Sequence, residues 1–119
     1  MKLLEIFSES QQDSTAFNGI VFHGSDKIIT AFRIDPKRGT YFSGDAEYAS
    51  DYGSIIYRCR VKLRHPKVVT EDEANGDIEI DRLVLMRDGY DGRIVRYDNG
   101  EIDVIAFNSN QITILERLS

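Results

Sequence analysis

Asp98-Asn99-Gly100 stands between two β-prone runs, Arg93-Ile94-Val95-Arg96-Tyr97 and Glu101-Ile102-Asp103-Val104-Ile105-Ala106-Phe107. An Asn-Gly pair accepts the positive φ that a tight turn demands, so the two runs are predicted to fold back on each other as an antiparallel hairpin. Upstream, Tyr57-Arg58-Cys59-Arg60-Val61-Lys62-Leu63 alternates apolar and polar residues. That is the period of a strand with one face in the core and one in water, and it puts Cys59 on the buried side. After a turn at Asn108-Ser109-Asn110, Gln111 to Leu115 reads as a closing strand.

The rest of the chain mixes short strands with short helices. Met1 to Asn18 opens on a mildly apolar Leu3-Leu4-Glu5-Ile6-Phe7 and turns polar, which reads as a leading helix or arm and then a loop. Gly19-Ile20-Val21-Phe22 is β-prone and delivers His23-Gly24-Ser25-Asp26, where Gly24 is expected to turn the backbone sharply. Ser25 or Asp26 can cap a short helical or irregular segment, Lys27 to Phe32, which stops before Pro36. Lys37-Arg38 reads as a solvated turn, at a position that also suits a phosphate clamp. From Gly39 to Tyr52 the pattern is strand, Ser43-Gly44-Asp45 turn and helix, with Asp45 as N-cap and Tyr41 and Tyr52 as chemical handles.

His65-Pro66 ends the alternating strand, and Val68-Val69 makes a brief edge strand. The carboxylates of Thr70 to Gly76 lack the spacing of a calcium loop, so this stretch is expected to be a solvated acidic loop. Asp77 can cap a helix with Ile80, Leu83, Val84 and Met86 at roughly helical spacing and Gly89 as its stop, before Tyr90-Asp91-Gly92 turns the chain. The order predicts a single α+β domain over residues 1–119, with a mainly antiparallel sheet and a few short helices.

Fifteen basic against twenty acidic residues leave a net charge of −5, which opposes the broad phosphate attraction that nucleic-acid binding needs. One arginine and a few backbone N–H groups are still enough for a small anionic ligand. Cys59 is the single cysteine, so no intrachain disulfide forms, and a reducing cytoplasm is the expected setting. No apolar run approaches the ~20 residues of a membrane span.

Three pieces then line up: Phe22-His23-Gly24-Ser25; Gly39-Thr40-Tyr41-Phe42-Ser43 with Ala49-Ser50-Asp51-Tyr52; and Glu101 to Ile112. Together they resemble the ADP-ribosyltransferase superfamily, in its diphtheria-toxin-like and poly(ADP-ribose)-polymerase-like branch. Gly89-Tyr90-Asp91-Gly92 adds a likeness to small bacterial and phage versions. The resemblance implies a split antiparallel fold with an NAD cleft, and a His, Tyr, Glu signature drawn from three strands. On that resemblance His23 holds the 2′-hydroxyl of the adenosine ribose and the Gly24 backbone pairs with the nicotinamide amide. Ser25 contacts the adenosine side, Tyr41 lies beside the nicotinamide ribose, and nicotinamide stacks on Tyr52. Arg38 is the candidate phosphate clamp.

The sequence departs from the family at the third signature position, where Asp103 stands for the glutamate and is one methylene shorter. Glu101 lies two residues earlier, at a position where arginine-modifying relatives carry an acid that orients the acceptor. Breaking the bond between nicotinamide and ribose develops positive charge on the sugar, and a carboxylate bonded to the adjacent 2′-hydroxyl stabilises that transition state. The resemblance therefore implies a mono-ADP-ribosyltransferase acting on a protein acceptor of host origin, with NAD as its substrate. Two alternatives stay open: an NAD glycohydrolase, and a catalytically silent relative that binds a partner through the same cleft.

Overall fold

Tyr57, Cys59, Val61 and Leu63 are buried while Arg58, Arg60 and Lys62 between them are more exposed, so the alternation of this strand decides which face of the sheet becomes core. The computed structural model describes residues 16–76 and 82–118. The expected N-terminal arm up to residue 15, and Asp77 and Ile80 of the expected helix, lie outside the described residues.

Seven strands are described: β1 (Phe17–Ser25), β2 (Thr40–Ser43), β3 (Ile55–Leu63), β4 (Pro66–Thr70), β5 (Gly92–Arg96), β6 (Ile102–Ala106) and β7 (Ile112–Arg117). They make a sheet in the order β4-β5-β6-β2-β1-β3-β7. Every junction is antiparallel except β4–β5. The helical pieces are α1 (Ala46–Ala49), which runs on as a 3-10 turn over Ser50–Tyr52, then α2 (Glu71–Gly76) and α3 (Arg82–Arg87). The chain is thus α+β and mostly antiparallel.

The sheet is pinched in its middle. β1 and β3 pair along nine residues, but β1 and β2 share the single pair Phe22↔Ser43. The expected split is therefore a seam within one sheet and not a separation into two. Val21, Phe42, Tyr57, Cys59, Val61, Leu63, Ile94, Val104 and Ala106 form the core on one face, drawing residues from both sides of that seam. Burying a side chain of this size is worth about 1.5–3 kcal/mol, which is what keeps the two halves together where backbone pairing is thin. The Ile29 N–H donates to the Tyr57 hydroxyl at 2.6 Å and so ties the irregular segment after β1 to the core.

Asp45 caps α1 as expected, its carboxylate accepting from the Glu47 N–H at 2.8 Å. Gly24 does not turn the chain, because β1 continues through it to Ser25. Its missing side chain serves a close approach: a Cβ at Gly24 would sit 1.8 Å from the Ala49 carbonyl oxygen. Gly53 ends the 3-10 turn at φ +156°, and a Cβ there would sit 2.2 Å from the Ser25 backbone. The helical turn that carries Tyr52 is therefore seated backbone to backbone on the end of β1.

Two other expectations are corrected. Glu71 to Gly76 is helical, not a loop, because Thr70-Glu71-Asp72-Glu73 is a capping box. The Thr70 hydroxyl accepts from the Glu73 N–H at 3.2 Å and the Glu73 carboxylate accepts from the Thr70 N–H at 2.8 Å. In α3, Met86 of the predicted apolar positions is partly covered, but Leu83 and Val84 are exposed and Leu85 is partly covered in their stead. Gly89 does stop α3, at φ +99°. Gly24→Ala is expected to lower stability by about 1–3 kcal/mol, read as a reduced urea midpoint with an unchanged slope. An unchanged midpoint would show that the contact with Ala49 is not tight.

Candidate functional site

The site lies where β1 and β2 part. Beyond the Phe22↔Ser43 pair the backbone ladder between them stops, and a side chain bridges the gap: His23 Nδ1 lies 2.8 Å from the Tyr41 carbonyl oxygen. A carbonyl only accepts, so Nδ1 carries the proton and Nε2 is the acceptor of the neutral ring. The Phe32 ring meets His23 edge-on at 4.9 Å and Phe42 lies 5.5 Å away. Burial holds the His23 pKa below its ordinary value, and the bond to Tyr41 offsets only part of that. The imidazole is therefore neutral at pH 7.

Asp103 sits in the middle of the opposite half. It faces Ser43 on β2 and Val95 on β5. Residues two positions along from these partners are its diagonal neighbours on the same face, within reach of a long side chain. Tyr41 takes one such position, and its hydroxyl donates to Asp103 Oδ1 at 2.8 Å. Tyr97 takes the other, and its hydroxyl donates to Asp103 Oδ2. Burial, reinforced by the Asp103 carboxylate, raises the pKa of both phenols, so both stay protonated donors. Tyr52, on the turn after α1, packs at 5.1 Å from the Tyr41 ring with a tilt of 53°.

Two clefts meet at Tyr41. The first, about 560 Å³, runs from His23 and Ser25 along the irregular segment and contains Lys27, Phe32 and Arg33. The second, about 310 Å³, is lined by Tyr41, Tyr48, Asp51, Tyr52, Tyr97, Asn99, Glu101 and Asp103. Both volumes fall in the range of small-molecule sites. The first cleft offers cations and an acceptor nitrogen, and the second offers carboxylates, phenols and an aromatic face. Tyr48 and Tyr52 remain 52% and 59% exposed at its rim, so aromatic surface is available there.

Of the residues singled out from sequence, His23, Ser25, Tyr41, Tyr52, Glu101 and Asp103 all line these two clefts. Gly24 is buried under α1 beside them. Arg38 is not among the lining residues. It lies in an exposed turn whose N–H groups at Lys37 and Arg38 donate to Asp35 Oδ1, and Lys27 and Arg33 hold the cationic place instead. Tyr97 and Tyr48 escaped the sequence reading. The signal for Tyr97 was its register in the predicted hairpin, opposite Glu101 and hence on the Asp103 face.

Two motif pieces prove to be clasps. Asp91 accepts from the Arg64 and His65 N–H groups at 2.7 and 2.8 Å, and Tyr90 stacks on His65 at 5.0 Å. Gln111 Oε1 accepts from the Phe107 and Asn108 N–H groups, while its amide nitrogen donates to the Asp91 carbonyl. Among the described residues no group of His, Cys, Asp and Glu is arranged to hold a metal ion, and no helix is long and apolar enough to cross a membrane.

No protein-family model matches the chain, and no curated protein matches it significantly. Among solved structures it is similar to the crystal structure of an anti-CRISPR protein, with 20% sequence identity and a TM-score of 0.52 over 92% of this chain and 100% of that one. At this identity the likeness is one of fold. The lowered His23 pKa has a consequence for stability. The unfolded chain takes up its proton near the ordinary 6.5, before the native state does, so stability rises with pH across that interval and is lost as pH falls through it. The stability advantage of the native sequence over His23→Gln, measured by urea unfolding, is expected to shrink from pH 7 to pH 5. A constant or growing advantage would contradict the buried neutral imidazole.

Proposed function

We propose that this chain is a mono-ADP-ribosyltransferase that takes NAD as its substrate, releases nicotinamide and transfers ADP-ribose to a protein. The observation that carries the reading is the convergence on one seam of three residues from three strands: His23 bonded to the Tyr41 backbone, and the Tyr41 hydroxyl bonded to Asp103. These are the positions at which the sequence resembles the family signature, and the clefts on either side of Tyr41 suit the two ends of a dinucleotide. The adenosine end lies in the His23 cleft, where Nε2 accepts from a ribose hydroxyl and Lys27 and Arg33 face the phosphates. Nicotinamide and its ribose lie in the second cleft, against the exposed face of Tyr52 and beside Tyr41 and Asp103.

The chemistry assigned to the second cleft is electrostatic. The bond between the anomeric carbon and nicotinamide breaks with its electron pair leaving on nicotinamide, which departs neutral. Asp103 stabilises the positive charge left on the sugar by accepting from the 2′-hydroxyl. An ionised carboxylate has about four lone-pair sites, so two phenol bonds leave room for that contact. The acceptor's lone pair then bonds to the anomeric carbon as the acceptor gives up a proton. Glu101 lines the same cleft, and in this reading it orients the acceptor.

One observation favours a second reading. Both oxygens of Asp103 already accept a phenol hydrogen bond, as they would in a silent relative that uses the fold to bind a partner. Nicotinamide release by the purified chain separates the readings. Asp103→Ala is expected to lower it by about 10²–10³-fold. Glu101→Ala is expected to keep release but reduce label transfer from NAD to protein. Because the similar solved structure is that of an anti-CRISPR protein, CRISPR components are among the acceptors to try. Label that stays free as ADP-ribose would identify a glycohydrolase. No release with any acceptor would overturn the enzyme reading and leave the silent one.

A further inference from the structure

We infer that Tyr97 is a positioning residue for the reaction, holding the Asp103 carboxylate in the single orientation that leaves it open toward the cleft. The inference rests on the transferase reading and adds a residue that the resemblance does not supply. A carboxylate bonded through one oxygen can still swing about that bond. Tyr41 holds Oδ1 from β2, on one side of Asp103, and Tyr97 holds Oδ2 from the end of β5, on the other. With both oxygens held from opposite neighbours, the plane of the carboxylate is set.

Tyr97 is itself well anchored. Its N–H donates to the Glu101 carbonyl at 3.0 Å, and its own carbonyl accepts from the Gly100 N–H at 3.0 Å. Gly100 makes this turn at φ +91°, a conformation that suits glycine, and the Asn99 side chain accepts from the Glu101 N–H at 3.0 Å. The Asn-Gly turn therefore sets where the phenol points as well as pairing two strands. Misplacement by about 1 Å costs of order a hundredfold in rate.

Tyr97 also lines the cleft and keeps its proton, its pKa being raised by burial and by Asp103. It therefore remains a donor across the working range of pH. Its hydroxyl is already given to Asp103, and through that bond it acts on the reaction. Such a residue changes the rate of the chemical step more than it changes substrate affinity.

The test is steady-state nicotinamide release from NAD by the full chain and by Tyr97→Phe, which keeps the ring and removes the donor. The expected result is a fall in kcat of about tenfold or more with KM for NAD within about twofold. Tyr97→Phe added to Asp103→Ala should cause no further loss, whereas Tyr90→Phe, at the His65 clasp, should leave kcat as it was. Circular dichroism and urea midpoints of the same variants check that the fold is kept. A native-like kcat in Tyr97→Phe, or an equal further loss on top of Asp103→Ala, would overturn the inference while leaving the transferase reading in place. A native chain that releases no nicotinamide overturns both, and that outcome is visible before any variant is made.

Discussion

Everything at the site depends on β1 and β2 parting after one residue pair. Buried or half-buried backbone groups need partners, and a sheet that opens in its middle normally loses them. Here a side chain spans the opening, His23 donating to the Tyr41 carbonyl, and the core residues Val21 on β1 and Phe42 on β2 are both fully buried in one cluster beneath it. At the seam the halves are thus joined by apolar packing and the His23 bridge, with little backbone ladder. That leaves space along the seam for a ligand without loosening the sheet.

The second requirement is that the helical turn after β2 stay close. Gly24 and Gly53 allow α1 and its 3-10 extension to rest on the end of β1 with no side chain between. Tyr52 is thereby held against Tyr41, so a close backbone contact on one strand governs an aromatic contact on another. Asp103, two strands away from β1, then completes the arrangement through the Tyr41 hydroxyl. Packing, backbone approach and hydrogen bonding each supply one side of the same cleft.

Much of this was legible in the residues. The alternation from Tyr57 to Leu63, the hairpin at Asn99-Gly100 and the Asp45 cap are local signals, and they correspond to β3, the β5–β6 turn and α1. The meeting of His23, Tyr41 and Asp103 was approached through resemblance, since no local rule brings residues so far apart in sequence together. What the sequence reading missed has physical causes. The Thr70 capping box outweighed the look of an acidic loop, because Glu73 and Thr70 satisfy each other's N–H groups. Arg38 is drawn into a turn organised by Asp35, leaving Lys27 and Arg33 in the cleft. The roles of Gly24 and Tyr97 depend on elements that arrive from elsewhere in the chain, which composition and spacing do not reveal.

Cys59 lies at the centre of β3 with no exposed surface, and burial pushes its thiol pKa up to about 11. Reactive thiolate is scarce at neutral pH, and the thiol is enclosed by the core cluster on its face of the sheet. The native fold is accordingly indifferent to the redox state of its surroundings, since it neither needs a disulfide nor offers a thiol to form one. The same burial makes the residue a built-in clock: a thiol reagent labels the chain only when the core packed over β3 opens, so the labelling rate times that opening.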